Sequence, residues 1–166
     1  SIQASLTGHL VLSTLHTNDA AGAITRLLDM GVEPYLVASS LEGVLAQRLV
    51  RVLCPDCKTE DRSDKATALK EEFDIPAGTP IFQPVGCAEC RNSGFHGRHA
   101  VFELMSLNPE IRQRILQNCS SGELKELAIK DGMTTLSEDG WRLVREGITT
   151  PDEVLRVTKS EHVNRD

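Results

Sequence analysis

Leu6-Thr7-Gly8-His9-Leu10-Val11-Leu12-Ser13-Thr14-Leu15-His16-Thr17-Asn18-Asp19-Ala20 is the stretch on which the fold turns. His9 to Leu15 is a short, nearly continuous apolar run, the pattern of a strand buried on both faces in a parallel sheet. Thr17, Asn18 and Asp19 then offer N-cap side chains, and the spacing predicts a helix over roughly Ala20 to Met30. Ile24, Leu27 and Leu28 share one face of that helix, and Gly31 is a natural stop. A buried strand running into an amphipathic helix is the unit of an α/β fold. One imidazole stands at each end of the strand. By residue type alone, such histidines are more often structural than functional. Ser13, Thr14, Thr17 and Asn18 gather at the strand's C-terminal end, where open α/β sheets place their ligand crevice.

Working outward, Pro34 opens a second helix through about Leu41, and residues 44–52 lean to strand. From Cys54 to about His99 the chain is loop-rich, with Pro76, Gly78, Pro80 and Pro84 breaking it, and a short helix over Lys65 to Phe73. Such a segment needs a staple to be ordered. Ala100 to Met105 reads as a strand. Asn108-Pro109 is then a helix start, and Ser120-Ser121-Gly122-Glu123 and Thr150-Pro151-Asp152-Glu153 both match the capping box. A helix from Leu136 to Arg145 turns Trp141 and Val144 inward. The segments are therefore 1–53, an α/β portion; 54–99, a tetracysteine subdomain; and 100–166, a helical subdomain.

Cys54-Pro55-Asp56-Cys57 and Cys87-Ala88-Glu89-Cys90 are two knuckles of the kind that hold zinc. A two-residue spacer lets a tight turn aim both thiolates at one metal. Two such turns complete a closed tetrahedral shell, structural rather than catalytic. Gly94 and Gly97 bracket a turn after the second knuckle. Reduced metal-free thiols and a redox dithiol are the other readings, although a redox pair needs only one motif. Cys119 has no partner in sequence. An odd count of five cysteines, with no signal peptide at the start, suits a reducing compartment.

The 166 residues carry 18 basic and 24 acidic groups, net −6. No segment is a basic patch, so a nucleic-acid surface is disfavoured. No apolar run approaches the length of a membrane span. The 4% aromatic fraction makes the core mostly aliphatic. The absence of an initiator methionine fits a chain that starts inside a larger protein.

The stretch around His9 and His16 resembles the His box of the secretion ATPases, the hexameric motors of type II secretion and type IV pilus assembly. Residues 22–31, 45–51, 53–58, 94–98 and 147–150 are similar to that family as well, so the resemblance covers essentially the whole chain. Residues 3–9 and 33–35 are closer to the type II secretion member than to the pilus extension ATPase. The resemblance implies the C-terminal portion of a RecA-like P-loop ATPase core with a zinc insertion and a helical cap. It implies His9 and His16 near the γ-phosphate end of the nucleotide, with Thr7, Gly8 and Thr14 in support. It also implies Cys54, Cys57, Cys87 and Cys90 as ligands of a structural Zn2+. ATP and Mg2+ are expected in the full-length protein only, because the chain has no Gly-Lys pair and hence no Walker A loop, and the family's Walker B acids lie upstream. The implied setting is a homo-oligomeric ring, cytoplasmic and peripheral at the inner membrane through platform proteins, that extrudes a pseudopilus. The alternatives are a type IV pilus ATPase fragment and an independent zinc-stabilised interaction module.

Overall fold

The computed structural model describes residues 2–162, without the side chains of Gln3 and of residues 159–162. It divides into two compact units. The first combines residues up to Gln47 with Phe102–Thr135. The second combines Arg48–Val101 with residues from Leu136 onward. These units are drawn along different lines from the segments 1–53, 54–99 and 100–166, because the helices after residue 107 are shared between them. Among the described residues, no helix is long and apolar enough to cross a membrane.

The first unit begins with α1 (Ile2–Leu6), followed by α2 (Ala20–Asp29) and α3 (Pro34–Ser40). Asp19 caps α2 by accepting from the Gly22 N–H at 2.8 Å, as the sequence predicts. Pro34 opens α3 at a position where no intrahelical N–H is needed. Strand β1 (Gly43–Leu53) follows, and β4 (Phe95–Ser106) returns beside it. Hydrogen bonds join Leu107 to Glu42 and Cys54 to Gly94, so the two strands run in opposite directions. The chain passes from one unit to the other within these strands. Helices α5 (Pro109–Leu116) and α6 (Ser121–Lys130) complete the first unit. Asn108 caps α5, and Ser120 with Glu123 forms the full capping box of α6. Each such cap is worth about 1 kcal/mol. Ile24, Val37, Met105, Ile111, Ile115 and Leu124 build an aliphatic core between these helices and the ribbon, each buried side chain contributing roughly 1.5–3 kcal/mol.

The predicted strand over His9–Leu15 is not formed. Residues 9–16 form no regular secondary structure, and Leu10 and Leu12 are 86% and 88% exposed. A strand exists only where a neighbour takes its N–H and C=O groups. No strand among the described residues does so, and β1 and β4 satisfy each other. The expected parallel sheet is therefore absent among the described residues. The observed sheets are the β1–β4 ribbon and the antiparallel pair of β2 (Thr59–Glu60) and β3 (Phe82–Gln83).

The second unit contains those short strands, α4 (Asp64–Glu72), α7 (Leu136–Arg145) and α8 (Pro151–His162). Its small core joins Ile75, Ile81, Trp141, Val144 and Val154. Phe73 stacks on Trp141 with ring centroids 3.9 Å apart. The Thr150 hydroxyl accepts from the Glu153 N–H at the start of α8. The Glu153 carboxylate, 2% exposed, meanwhile accepts from the Arg51 N–H and from the guanidinium groups of Arg51 and Arg156. The motif read as a helix start is thus also the ion-pair node that ties β1 to α8. Burial raises the Glu153 carboxyl, but these donors outweigh it and lower its pKa from 4.5 to about 2. Its stabilisation is therefore complete above the unfolded value and is lost as pH falls from about 4.5 towards 2. Glu153→Gln is expected to cost about 1.5–3 kcal/mol at neutral pH and to flatten this acid dependence. Urea melts of both proteins across that window measure it, and superimposable acid limbs would refute the assignment.

Candidate metal centre and histidine segment

The four paired cysteines converge in the second unit. Their sulfur atoms all lie within 4.8 Å of one another, the one such grouping of three or more His, Cys, Asp or Glu among the described residues. Sγ of Cys54 is 3.9 Å from that of Cys87, and Sγ of Cys90 is 3.8 Å from those of Cys57 and Cys87. A tetrahedron of sulfurs at the zinc–thiolate bond length of about 2.3 Å has edges of about 3.8 Å. The spacing therefore matches a closed four-thiolate shell, and is far from the ~2.05 Å of a disulfide.

Backbone amides surround the sulfurs. The Gly86 N–H donates to Cys57 Sγ at 3.3 Å, and the Cys87 and Gly94 N–H groups each donate to Cys90 Sγ at 3.2 Å. Burial pushes the Cys54 thiol up to about 12. Burial also opposes ionisation of Cys90, but the Cys87 and Gly94 amides prevail and hold that thiol down at about 6. A bound cation is the group that would let all four sulfurs ionise together. The cluster is fastened to the rest of its unit. Lys58 Nζ donates to the Gly147 carbonyl at 2.8 Å while lying over the Phe82 ring, and the Leu53 N–H donates to Ile148.

The turn after the second knuckle lies at Arg91, Asn92 and Gly94, all with positive φ, whereas Gly97 falls inside β4. Gly94 has φ +74°, and a Cβ placed there would stand 2.4 Å from Pro84 Cβ. Gly94→Ala therefore meets backbone strain and a collision beside the Cys90 sulfur, to which the Gly94 N–H donates. The expected result is destabilisation by about 3 kcal/mol or more with impaired metal retention. A variant that melts with the parent and keeps its metal would contradict this reading.

In the first unit, His9, His16, Thr7, Gly8 and Thr14 are all exposed on the segment between α1 and α2. The Thr7 hydroxyl lies 2.8 Å from the Ala4 carbonyl oxygen and 3.0 Å from His9 Nδ1, within hydrogen-bond reach of both. Gly8, at φ +90°, makes the tight turn that allows this approach. Cys119 packs at the edge of the aliphatic core, and burial raises its thiol pKa.

Sequence reasoning missed Glu103, the carboxylate that meets the start of α2. Its strand pattern marks position 103 as inward-facing between Val101 and Met105, which was the available signal.

The α/β chain, with its tetracysteine cluster and exposed two-histidine segment, belongs to a family of secretion system proteins. The type II/IV secretion system protein family matches residues 1–156. Type II secretion system protein E of Pseudomonas aeruginosa is 50% identical over 161 residues, covering 97% of this chain and 32% of that protein. The Pectobacterium carotovorum protein of the same name is 51% identical over 162 residues, with the same coverage. The type IV pilus assembly ATPase TfpB of Acinetobacter baylyi is 48% identical over 159 residues, covering 95% of this chain and 27% of that one. The chain thus spans about a third of the length of these relatives. Among solved structures, the ATPase DotB of Yersinia pseudotuberculosis matches with a TM-score of 0.62 at 18% identity, over 95% of this chain and 32% of that one. The ADP-bound pilus retraction motor PilT matches at 0.56 and 20%, over 94% of this chain and 35% of that one. At these identities the shared property is the α/β secretion-ATPase fold.

Proposed function

We propose that this chain is the C-terminal part of a type II secretion ATPase, a motor for pseudopilus assembly that works only as the whole protein. The observation that carries the reading is 50% identity across 97% of the chain to a protein named for type II secretion, of which it spans 32%. Residues 1–53 contribute the edge of a RecA-like core, residues 54–99 the zinc subdomain and residues 100–166 the helical cap. The exposed Leu10 and Leu12 are consistent with this, since they become buried once strands from the rest of the core lie beside them. The setting is a homo-oligomeric ring, expected to be hexameric, peripheral at the inner membrane.

Within that ring His9 and His16 face the phosphate end of the nucleotide, supported by Thr7, Gly8 and Thr14. Mg2+–ATP supplies the phosphoryl chemistry when bound. Thr7 orients the His9 ring through Nδ1, so that Nε2 is the nitrogen presented outward. A protonated Nε2 donates to phosphate oxygen, and a neutral one accepts a proton from water. The cysteine set holds a structural Zn2+.

The 166-residue chain alone is expected to show no ATP turnover above blank, whereas the full-length protein containing it turns ATP over. Turnover by the isolated chain that survives repurification would sink this reading. Type IV pilus assembly is the second reading, favoured by the 48% identity to TfpB. Complementation separates the two: restored protein export supports the first, and restored piliation without export the second.

A further inference from the structure

At the junction between the histidine segment and α2, three charged side chains converge. Glu103, on β4, is fully buried, and its Oε1 accepts from the Ala20 N–H at 2.9 Å. Oδ1 of Asp19 accepts from the Gly22 N–H at 2.8 Å. Each carboxylate thus spends one oxygen on the start of α2. The other oxygens face Lys125 of α6, whose Nζ is 3.3 Å from Asp19 Oδ2 and 3.9 Å from Glu103 Oε2. The Thr17 hydroxyl, one residue after His16, donates to the Asp19 carbonyl at 3.1 Å.

Two features set this apart from an ordinary helix start. Asp19 makes the usual N-cap bond, and Glu103 reaches in from β4 to take a second N–H of the same helix start. A buried charge network is also a costly way to gain stability, since apolar side chains of similar volume often do as well. What charged hydrogen bonds add is direction: they hold one geometry where apolar contacts slide. Three elements, α2, β4 and α6, are pinned at Asp19 and Ala20, just after His16.

We propose that Lys125 is a positioning residue for the histidine segment, bridging Glu103 and Asp19 so that the start of α2, and with it the exit of residues 9–18, is held in one place. The functional part of this proposal rests on the role assigned above to His16.

The test has two arms. In the 166-residue chain, Lys125→Met is expected to accelerate amide exchange at Ala20 and Gly22 about tenfold, with the tetracysteine unit unchanged. In the full-length ATPase the same substitution is expected to lower kcat about tenfold while KM for ATP stays within about twofold. Lys125→Arg, which retains the bridge, should restore both. Should Lys125→Met fold poorly, Lys125→Met with Glu103→Gln removes both charges but keeps an acceptor for Ala20. It is expected to show the same fast exchange at Gly22 and the same low kcat. Unchanged exchange at Ala20 and Gly22, or unchanged kcat despite faster exchange, would overturn the proposal. His16→Ala turning over ATP at the parental rate would instead overturn the assigned role of His16, and the exchange arm would still decide the anchor.

Discussion

Replacing Cys90 with serine is expected to remove zinc from the protein and to unfold the unit built from Arg48–Val101 and the residues after Leu136. Cys90 is the most consequential choice of the four. It is buried, it accepts two backbone N–H bonds, and its sulfur stands 3.8 Å from two others. A serine hydroxyl at this position neither ionises near neutral pH nor reaches a zinc–thiolate bond. The unit's own core is small, centred on Ile75, Ile81, Trp141, Val144 and Val154. It cannot replace an apparent binding energy of about 10–16 kcal/mol. The parent is expected to carry about one zinc per chain and the variant almost none. Trp141 is the only tryptophan and is buried against Phe73, so its emission should shift to the red as the unit opens. Chelation of the parent should produce the same shift, reversed by added zinc. A parent that binds no zinc, with four thiols titrating freely in the native state, would refute the site. So would a variant with parental melting and emission.

The second large effect is expected at His16. In the full-length ATPase, His16→Ala should lower kcat by about 10²–10⁴, the usual contribution of a positioned proton-transfer or charge-stabilising group. Nucleotide affinity should stay within about threefold, because the interaction is strongest in the transition state. His9→Ala should follow the same pattern, and Thr7→Val should produce a smaller loss, since it removes only the hydroxyl that orients His9. Thermal melts of the variants should overlay the parent. Retention of kcat within about twofold in both histidine variants would remove these residues from the chemistry.

Much of the local structure was legible because its causes are local. Asp19, Asn108 and Ser120 cap the helices that follow them, and Pro34 and Pro109 open theirs, through contacts spanning three or four residues. The knuckles were legible because a two-residue spacer dictates a turn. The strand over His9–Leu15 was misread for a physical reason. Its apolar run is a signal for burial, and burial needs partners that the described residues do not supply. The Thr150–Glu153 motif was read as a helix start, yet Arg51, 102 positions before Glu153, makes that carboxylate an ion-pair node.

By itself, then, the sequence determined the helix starts, the two thiolate turns, the loop-rich character of residues 54–99 and the family. The first three depend on backbone geometry and spacing over a few residues, and the family on similarity that runs along the whole chain. Only the tertiary structure decided that the two turns meet at tetrahedral distances, and that α5 and α6 belong to one unit while α7 and α8 belong to the other. It alone brought Lys125, 106 positions from Asp19, to the start of α2. Those outcomes depend on which distant groups become neighbours. That is decided by how the β1–β4 ribbon returns the chain on itself and by the need of each buried charge for a partner, and neither is written in any short stretch of residues.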